Sequence, residues 1–218
     1  MCMSDMLSEK LAKFHGLVLS ASSDLGKVFG KGMSRAQIAK SVRLTGIGLP
    51  ESHFPLFERF NGQKQSGLPV LPCPHRKWGG LKMCSLSLME EWRDALIGSE
   101  WMYQNCGIGR ELSSSERVRS EFWSPSWLPI AAGETLFRKE RRAVNTELFL
   151  DFEPAVGGSR GQVVYQEVER VVSADKISPE NCTRTVIADS IVDYFEGLIS
   201  MMELGRIGFQ GGKGIAWR

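Results

Sequence analysis

The chain has 218 residues, with 27 Lys plus Arg against 25 Asp plus Glu and a formal net charge of +2. Apolar residues make up 42% and charged residues 24%; that balance is typical of a soluble globular domain and argues against disorder along the whole length and against a dedicated, strongly basic nucleic-acid binder. No run of about 18 apolar residues occurs, so no transmembrane helix is expected.

The first 30 residues read as a poorly anchored helical segment, with Leu7, Leu11 and Phe14 at helical spacing. The short stretch Leu17–Ala21 is a poor secretion leader, because Asp5 and Glu9 precede it and His15 and Gly16 interrupt it. Ser34 is a candidate N-cap for a helix over Arg35–Arg43 that carries Ile38 and Val42 and ends at Gly46–Ile47–Gly48. Pro50 suits the first turn of a helix bearing Phe54, Leu56, Phe57 and Phe60, and Asn61–Gly62 is a stop signal. Residues 64–80 read as loop with a short strand at Val70–Leu71. Leu86–Leu96 reads as a helix capped by Ser85 or Ser87, and residues 98–120 as irregular apart from a turn of helix near Glu111–Arg117.

Beyond residue 120 the pattern changes to strands. Trp123–Ile130 ends in a strand-like run, Glu147–Phe152 and Gln162–Tyr165 are strand candidates, and Glu169–Val172 is a third. Arg138–Arg142 holds four positive charges and one negative and reads as an exposed loop. The helix expected over Thr185–Glu203 has Ile187, Ile191, Tyr194 or Phe195, and Leu198 at spacings of three and four. The last eleven residues, with four glycines, read as a flexible tail. Helices first, strands later and a closing helix indicate an α+β fold rather than alternating βαβ units. The expected organisation is an N-terminal extension over 1–30, a domain over 31–207 and a tail over 208–218.

No catalytic centre is expected. There is no G-x-S-x-G elbow, and Gly211–Gly212–Lys213–Gly214 lacks the hydroxyl residue and the following helix of a phosphate loop. The five cysteines (Cys2, Cys73, Cys84, Cys106, Cys182) are too scattered for a small disulfide scaffold and suit reduced thiols in a cytoplasm. Cys73 and His75, with Cys84 and Cys106, offer one close-spaced pair where zinc sites usually have two, so no metal is expected. The Asp151/Glu153 pair lacks a base or third ligand and reads as turn-capping or partner-binding. Of Trp123 and Trp127, at least one is expected in the core.

Three stretches, taken together, resemble the SUKH superfamily over residues 35–205. Gly46–Ile47–Gly48–Leu49–Pro50–Glu51 through Leu56–Gln63 is similar to the family's opening, where a Leu-Pro motif begins a helix ending in Asn-Gly. Trp123–Ser124–Pro125–Ser126–Trp127–Leu128–Pro129–Ile130–Ala131 resembles its W-x-P-x-W-[IL]-P-[IL]-A strand. Leu148–Pro154, Gly157–Gly158 and Gly161–Val164 resemble its L-x-L-D-x-x-P…GG…G-Q-V-[IV] segment. Between the last two blocks, Gly133–Thr146 is longer and more basic than the family's turn. The resemblance implies a single twisted, mainly antiparallel sheet with helices around it. It also implies a non-enzymatic, cytoplasmic immunity protein that neutralises a cognate protein toxin by direct binding; no cofactor is expected, the lack of a long apolar run argues against a membrane partner, and the small net charge argues against a nucleic-acid partner. Fungal members of the family imply an alternative, a scaffold or regulatory module of cell-wall synthesis. Partner-binding candidates under this reading are Trp123, Trp127, Asp151, Glu153, Arg138 and Arg141, any of which can equally be structural.

Overall fold

A computed structural model of the chain describes residues 1–64, 67–74, 80–105, 113–114, 116–121, 123–137, 142–171 and 176–218. In chain order the elements are α1 (Met3–Ala21), α2 (Ser23–Gly26), α3 (Arg35–Thr45), a 3-10 turn (Glu51–His53), α4 (Pro55–Arg59), β1 (Leu71–Pro72), β2 (Gly80–Met83), α5 (Leu86–Asn105), β3 (Ser113–Ser114), β4 (Trp127–Phe137), β5 (Arg142–Asp151), β6 (Gln162–Val171), β7 (Lys176–Ala188), α6 (Ile191–Glu203), β8 (Ile207–Phe209) and β9 (Ile215–Trp217). The fold is α+β with a mainly antiparallel sheet, as expected. Two compact units form, Met1–Glu90 with Ile191–Arg218, and Glu91–Ser190.

In the first unit α1 is firmly packed, contrary to the expectation of a loose extension. Leu7, Leu11, Phe14 and Val18 recur every three or four residues and are all fully buried. Each such burial contributes about 2 kcal/mol. The partner is α6: Phe14 meets Phe195 edge-on at 5.3 Å, and Lys10–Glu196 (3.0 Å) and Lys13–Glu203 (2.8 Å) flank the contact. The ion pairs are solvent-exposed and add little. Further along α1, His15 sits edge-on to Phe29 and Phe60, which stack on each other at 4.3 Å.

The Phe54–Phe60 stripe is buried as expected, but it divides into two short turns of helix. Pro50 precedes the 3-10 turn, and Pro55 occupies the first position of α4. His53 is buried here, and burial lowers its pKa to about 4. Asn61–Gly62 does more than stop the helix. Asn61 Oδ1 accepts the Leu86 N–H at the start of α5 (3.0 Å). Gly62 has φ +75°, and a Cβ there would lie 2.3 Å from the Ser85 backbone nitrogen.

The chain's end is also ordered. β8 and β9 form an antiparallel hairpin with Ile207, Ile215 and Ala216 buried. Trp217 Nε1 donates to the Cys73 carbonyl (2.7 Å), and the Ile215 N–H donates to the Pro69 carbonyl (3.0 Å). The flexible-tail expectation is therefore corrected: Gly208 lies in β8, and Gly211, Gly212 and Gly214 make the turn of the hairpin.

In the second unit β4, β5, β6 and β7 are neighbours in order, all antiparallel, and β3 adds to β7 in parallel. The stretch Gly133–Thr146 is where the β4–β5 hairpin lengthens, with pairing continuing from Gly133↔Thr146 to Phe137↔Arg142. The strands expected at Gln162–Tyr165 and Glu169–Val172 belong, as far as Val171, to one continuous β6; Val172 lies outside the described residues. The expected helix start at Thr185 is corrected, because β7 runs to Ala188 and α6 begins at Ile191. α5 extends to Asn105, beyond its expected end.

Two glycine substitutions separate backbone constraint from helix propensity. Gly62→Ala is expected to cost about 2 kcal/mol or more, from a left-handed backbone and a backbone clash. Gly197→Ala, at an exposed α6 position with nothing within 4 Å of the added Cβ, should stabilise by about 0.5–1 kcal/mol. Urea denaturation of both variants checks this; equal effects would contradict it.

Candidate functional site

The residues that carry chemistry in the second unit share one face of its sheet. Strand alternation places Asn145, Glu147, Phe149 and Asp151 of β5 on that face, opposite Val168, Gln166, Val164 and Gln162 of β6. Trp127 of β4 pairs with Asp151, and Arg184 of β7 pairs with Gln166. Polar and apolar rows therefore alternate along the strands.

The apolar row holds Trp127, Phe149 and Val164, with Val168 nearby and Val118 and Trp123 packed over them from the segment before β4. Trp127 stacks on Phe149 (4.7 Å between centroids, 25° between planes), and Trp123 closes on both edge-on at 5.6 and 5.3 Å. Such aromatic geometry adds about 0.5–1.5 kcal/mol per pair to the area buried.

One polar row is a ladder across three strands. Gln166 Nε2 donates to Glu147 Oε2 (3.1 Å), and Gln166 Oε1 accepts from Arg184 Nε (2.9 Å) and Nη2 (2.6 Å). Arg184 Nη1 donates to the carbonyls of Arg119 (3.0 Å) and Glu121 (2.7 Å), and its guanidinium lies 4.5 Å over the Trp127 ring. Arg184 is 2% exposed. A cation buried this deeply is tolerated because its ring of donors is met by acceptors and an aromatic face. Burial pushes the Glu147 carboxyl up to about 7, against the opposing pull of Arg184 and the Gln166 hydrogen bond.

The second polar row joins the ends of three strands. Gln162 Nε2 donates to Asp151 Oδ2 (3.0 Å) and to the Arg117 carbonyl (2.9 Å), while the Glu153 N–H donates to Asp151 Oδ1 (3.0 Å). Burial raises the Asp151 pKa; the Gln162 and Glu153 hydrogen bonds and the Trp127 indole oppose the rise. The Gly161 N–H closes the turn on the Asp151 carbonyl (2.6 Å).

Of the six expected partner-binding residues, Trp127 and Asp151 are fully buried and Trp123 is 3% exposed. Of the two roles open to these three residues, partner contact or structure, their positions fit the structural one: stacking and turn closure hold them inside, and both tryptophans lie in the core. Glu153 is exposed and lies 3.6 Å from Arg119. Arg138 and Arg141 lie outside the described residues, as do His75 and Cys106; Cys73 and Cys84 are buried. Among the described residues no group of three or more His, Cys, Asp or Glu side chains is placed to hold a metal ion, and none of the helices is long and apolar enough to cross a membrane. Sequence reasoning did not single out Arg184 or Gln166. The one signal was Gln166 within the apolar alternation of Val164 and Val168.

No protein-family model matches the chain, and no curated protein matches it either.

The ladder's chemistry is that of a clamp. Arg184→Met would take this donor from the Arg119 and Glu121 carbonyls and from Gln166 Oε1 and the opposing charge from the buried Glu147 carboxyl, and is expected to cost about 3–5 kcal/mol. Glu147 adds a pH term. Its folded pKa is above the ordinary 4.5, so its contribution is complete at low pH and is lost as pH rises through about 7. The stability of Glu147→Gln relative to the parent protein should therefore rise by about 1–3 kcal/mol between pH 5 and pH 8. Urea unfolding at both pH values measures this, and a constant difference would contradict it.

Proposed function

We propose that the protein is a non-enzymatic binding protein of the SUKH immunity type, which neutralises a cognate protein toxin by forming a stoichiometric complex in the cytoplasm. One observation carries the reading. Two of the three sequence blocks that resemble the family meet side by side: Trp127 pairs with Asp151, and Asp151 pairs with Gln162. The rare residues of these blocks thus have one shared task, to lock β4, β5 and β6 at a common end. The first block has a comparable task, since Asn61 and Gly62 seat the start of α5. Motif residues used in this way leave specificity to the exposed surface, as a family of binders with varied partners requires.

Inhibition by binding needs no catalytic group. It needs a stable frame and a face complementary to the toxin, with a few well-packed contacts supplying most of the affinity. The buried ladder and aromatic row supply the frame.

Co-expression with a candidate toxin, taken from the genes flanking this one, tests the proposal. Host survival and a one-to-one complex on size exclusion are the expected results. Death of the host, with the protein co-purifying with cell-wall synthesis components, would overturn it in favour of a regulatory scaffold. Protection at far below one equivalent would overturn it in favour of an enzyme.

A further inference from the structure

Helix α3 is completed by local devices at both ends. Ser34 and Gln37 form a reciprocal capping box, with the Ser34 N–H donating to Gln37 Oε1 at 2.9 Å, and Gly46 ends the helix in the left-handed conformation at φ 66°. Its attachment is narrow. Ile38 is its one buried residue. Arg35 ties its first turn to Glu51 (3.1 Å) and Glu58 (3.5 Å), and lies 5.4 Å over the Phe54 ring.

The opposite face is open. At 100° per residue, an arc of about 140° runs from Ala39 through Arg43, Ala36 and Lys40 to Leu44, and all five residues are exposed. Leu44 is 72% exposed, among the most exposed large apolar side chains of the chain. The helix contains three basic residues and no acidic one. A rigid, capped helix with small residues, two outward cations and one protruding leucine has the composition of a helix that lies against another surface.

We propose that this face of α3 docks an acidic protein surface, with Lys40 and Arg43 meeting carboxylates and Leu44 entering an apolar recess between them. The proposal rests on the toxin-binding reading and names the partner's chemistry. Charge selects the occupant. A second copy docking through a two-fold axis would set Lys40 and Arg43 against themselves, which like-charge repulsion disfavours. A phosphate backbone has no use for the leucine and the two alanines, and the chain lacks the basic excess of a nucleic-acid binder. Two cations and one leucine also fall short of the broad apolar face by which a helix settles into a lipid surface.

The experiment titrates the purified full-length protein into the toxin domain that the co-expression test identifies, by calorimetry at two salt concentrations. The variants are Lys40→Glu/Arg43→Glu and Leu44→Ala, each checked for unchanged circular dichroism and melting temperature. The charge-reversed variant is expected to bind about 100-fold more weakly and to lose most of its salt dependence. The leucine variant is expected to bind about tenfold more weakly with the salt dependence intact. If the parent protein binds and both variants bind equally well, the α3 assignment is overturned while the toxin-binding reading stands. If the parent protein does not bind the toxin, both fail. Binding to a 20-base-pair DNA duplex or to phosphatidylserine vesicles that is abolished by Lys40→Glu/Arg43→Glu would overturn the choice of a protein partner.

Discussion

The second unit is organised around the buried guanidinium of Arg184. A cation with 2% exposure is stable only if its environment replaces the water it has lost, and each replacement constrains a different element. The acceptor on Gln166 fixes the β6–β7 register, and Gln166 in turn donates to Glu147 and fixes β5. The carbonyls of Arg119 and Glu121 draw the segment before β4 onto the sheet, which seats Val118 and Trp123 over Phe149. The ring beneath the guanidinium belongs to Trp127, the first residue of β4. One side chain thus couples four strands and their covering segment. A one-residue slip of any strand would turn these polar groups to the other face.

Local signals were legible in the sequence where local physics decides the structure. α3 follows from Ser34 and Gly46, and the Phe54–Phe60 stripe and the β4 and β5 cores follow from their apolar patterns. Long-range pairing was not legible. β7 lacks the alternation of a half-buried strand, and Ile187 stands four residues before Ile191, so helical periodicity ran on through Asp189–Ser190 into a strand. β6 looked like two strands because polar Gln166 and Glu167 interrupt the run. Gln166 is satisfied by partners on neighbouring strands, which lie 18 and 19 residues away. The terminal hairpin was hidden by its glycines. They signalled looseness, although Gly214 leaves no room for a Cβ beside the Pro69 carbonyl.

The candidate site was legible in its members more than in their roles. Trp123, Trp127 and Asp151 stand out by residue type and by resemblance, and the structure gives them interior positions, while Glu153, the other described candidate, is at the surface. Rare residues in a motif mark what a fold needs as readily as what a partner touches. The division of labour that results is physical. Buried, mutually satisfied groups hold a rigid frame, and α3 presents cations and a leucine that its own packing does not use.

The central claim is that the motif residues hold the frame while the partner is met elsewhere. Hydrogen exchange of the protein, free and in complex with the proposed toxin partner, tests this most directly. The account predicts new protection over residues 35–45, with the amides of Trp127–Ala131 and Gln162–Gln166 slow in both states and unchanged by binding. New protection centred on the turn after Asp151 and around Trp123, with α3 unchanged, would contradict it.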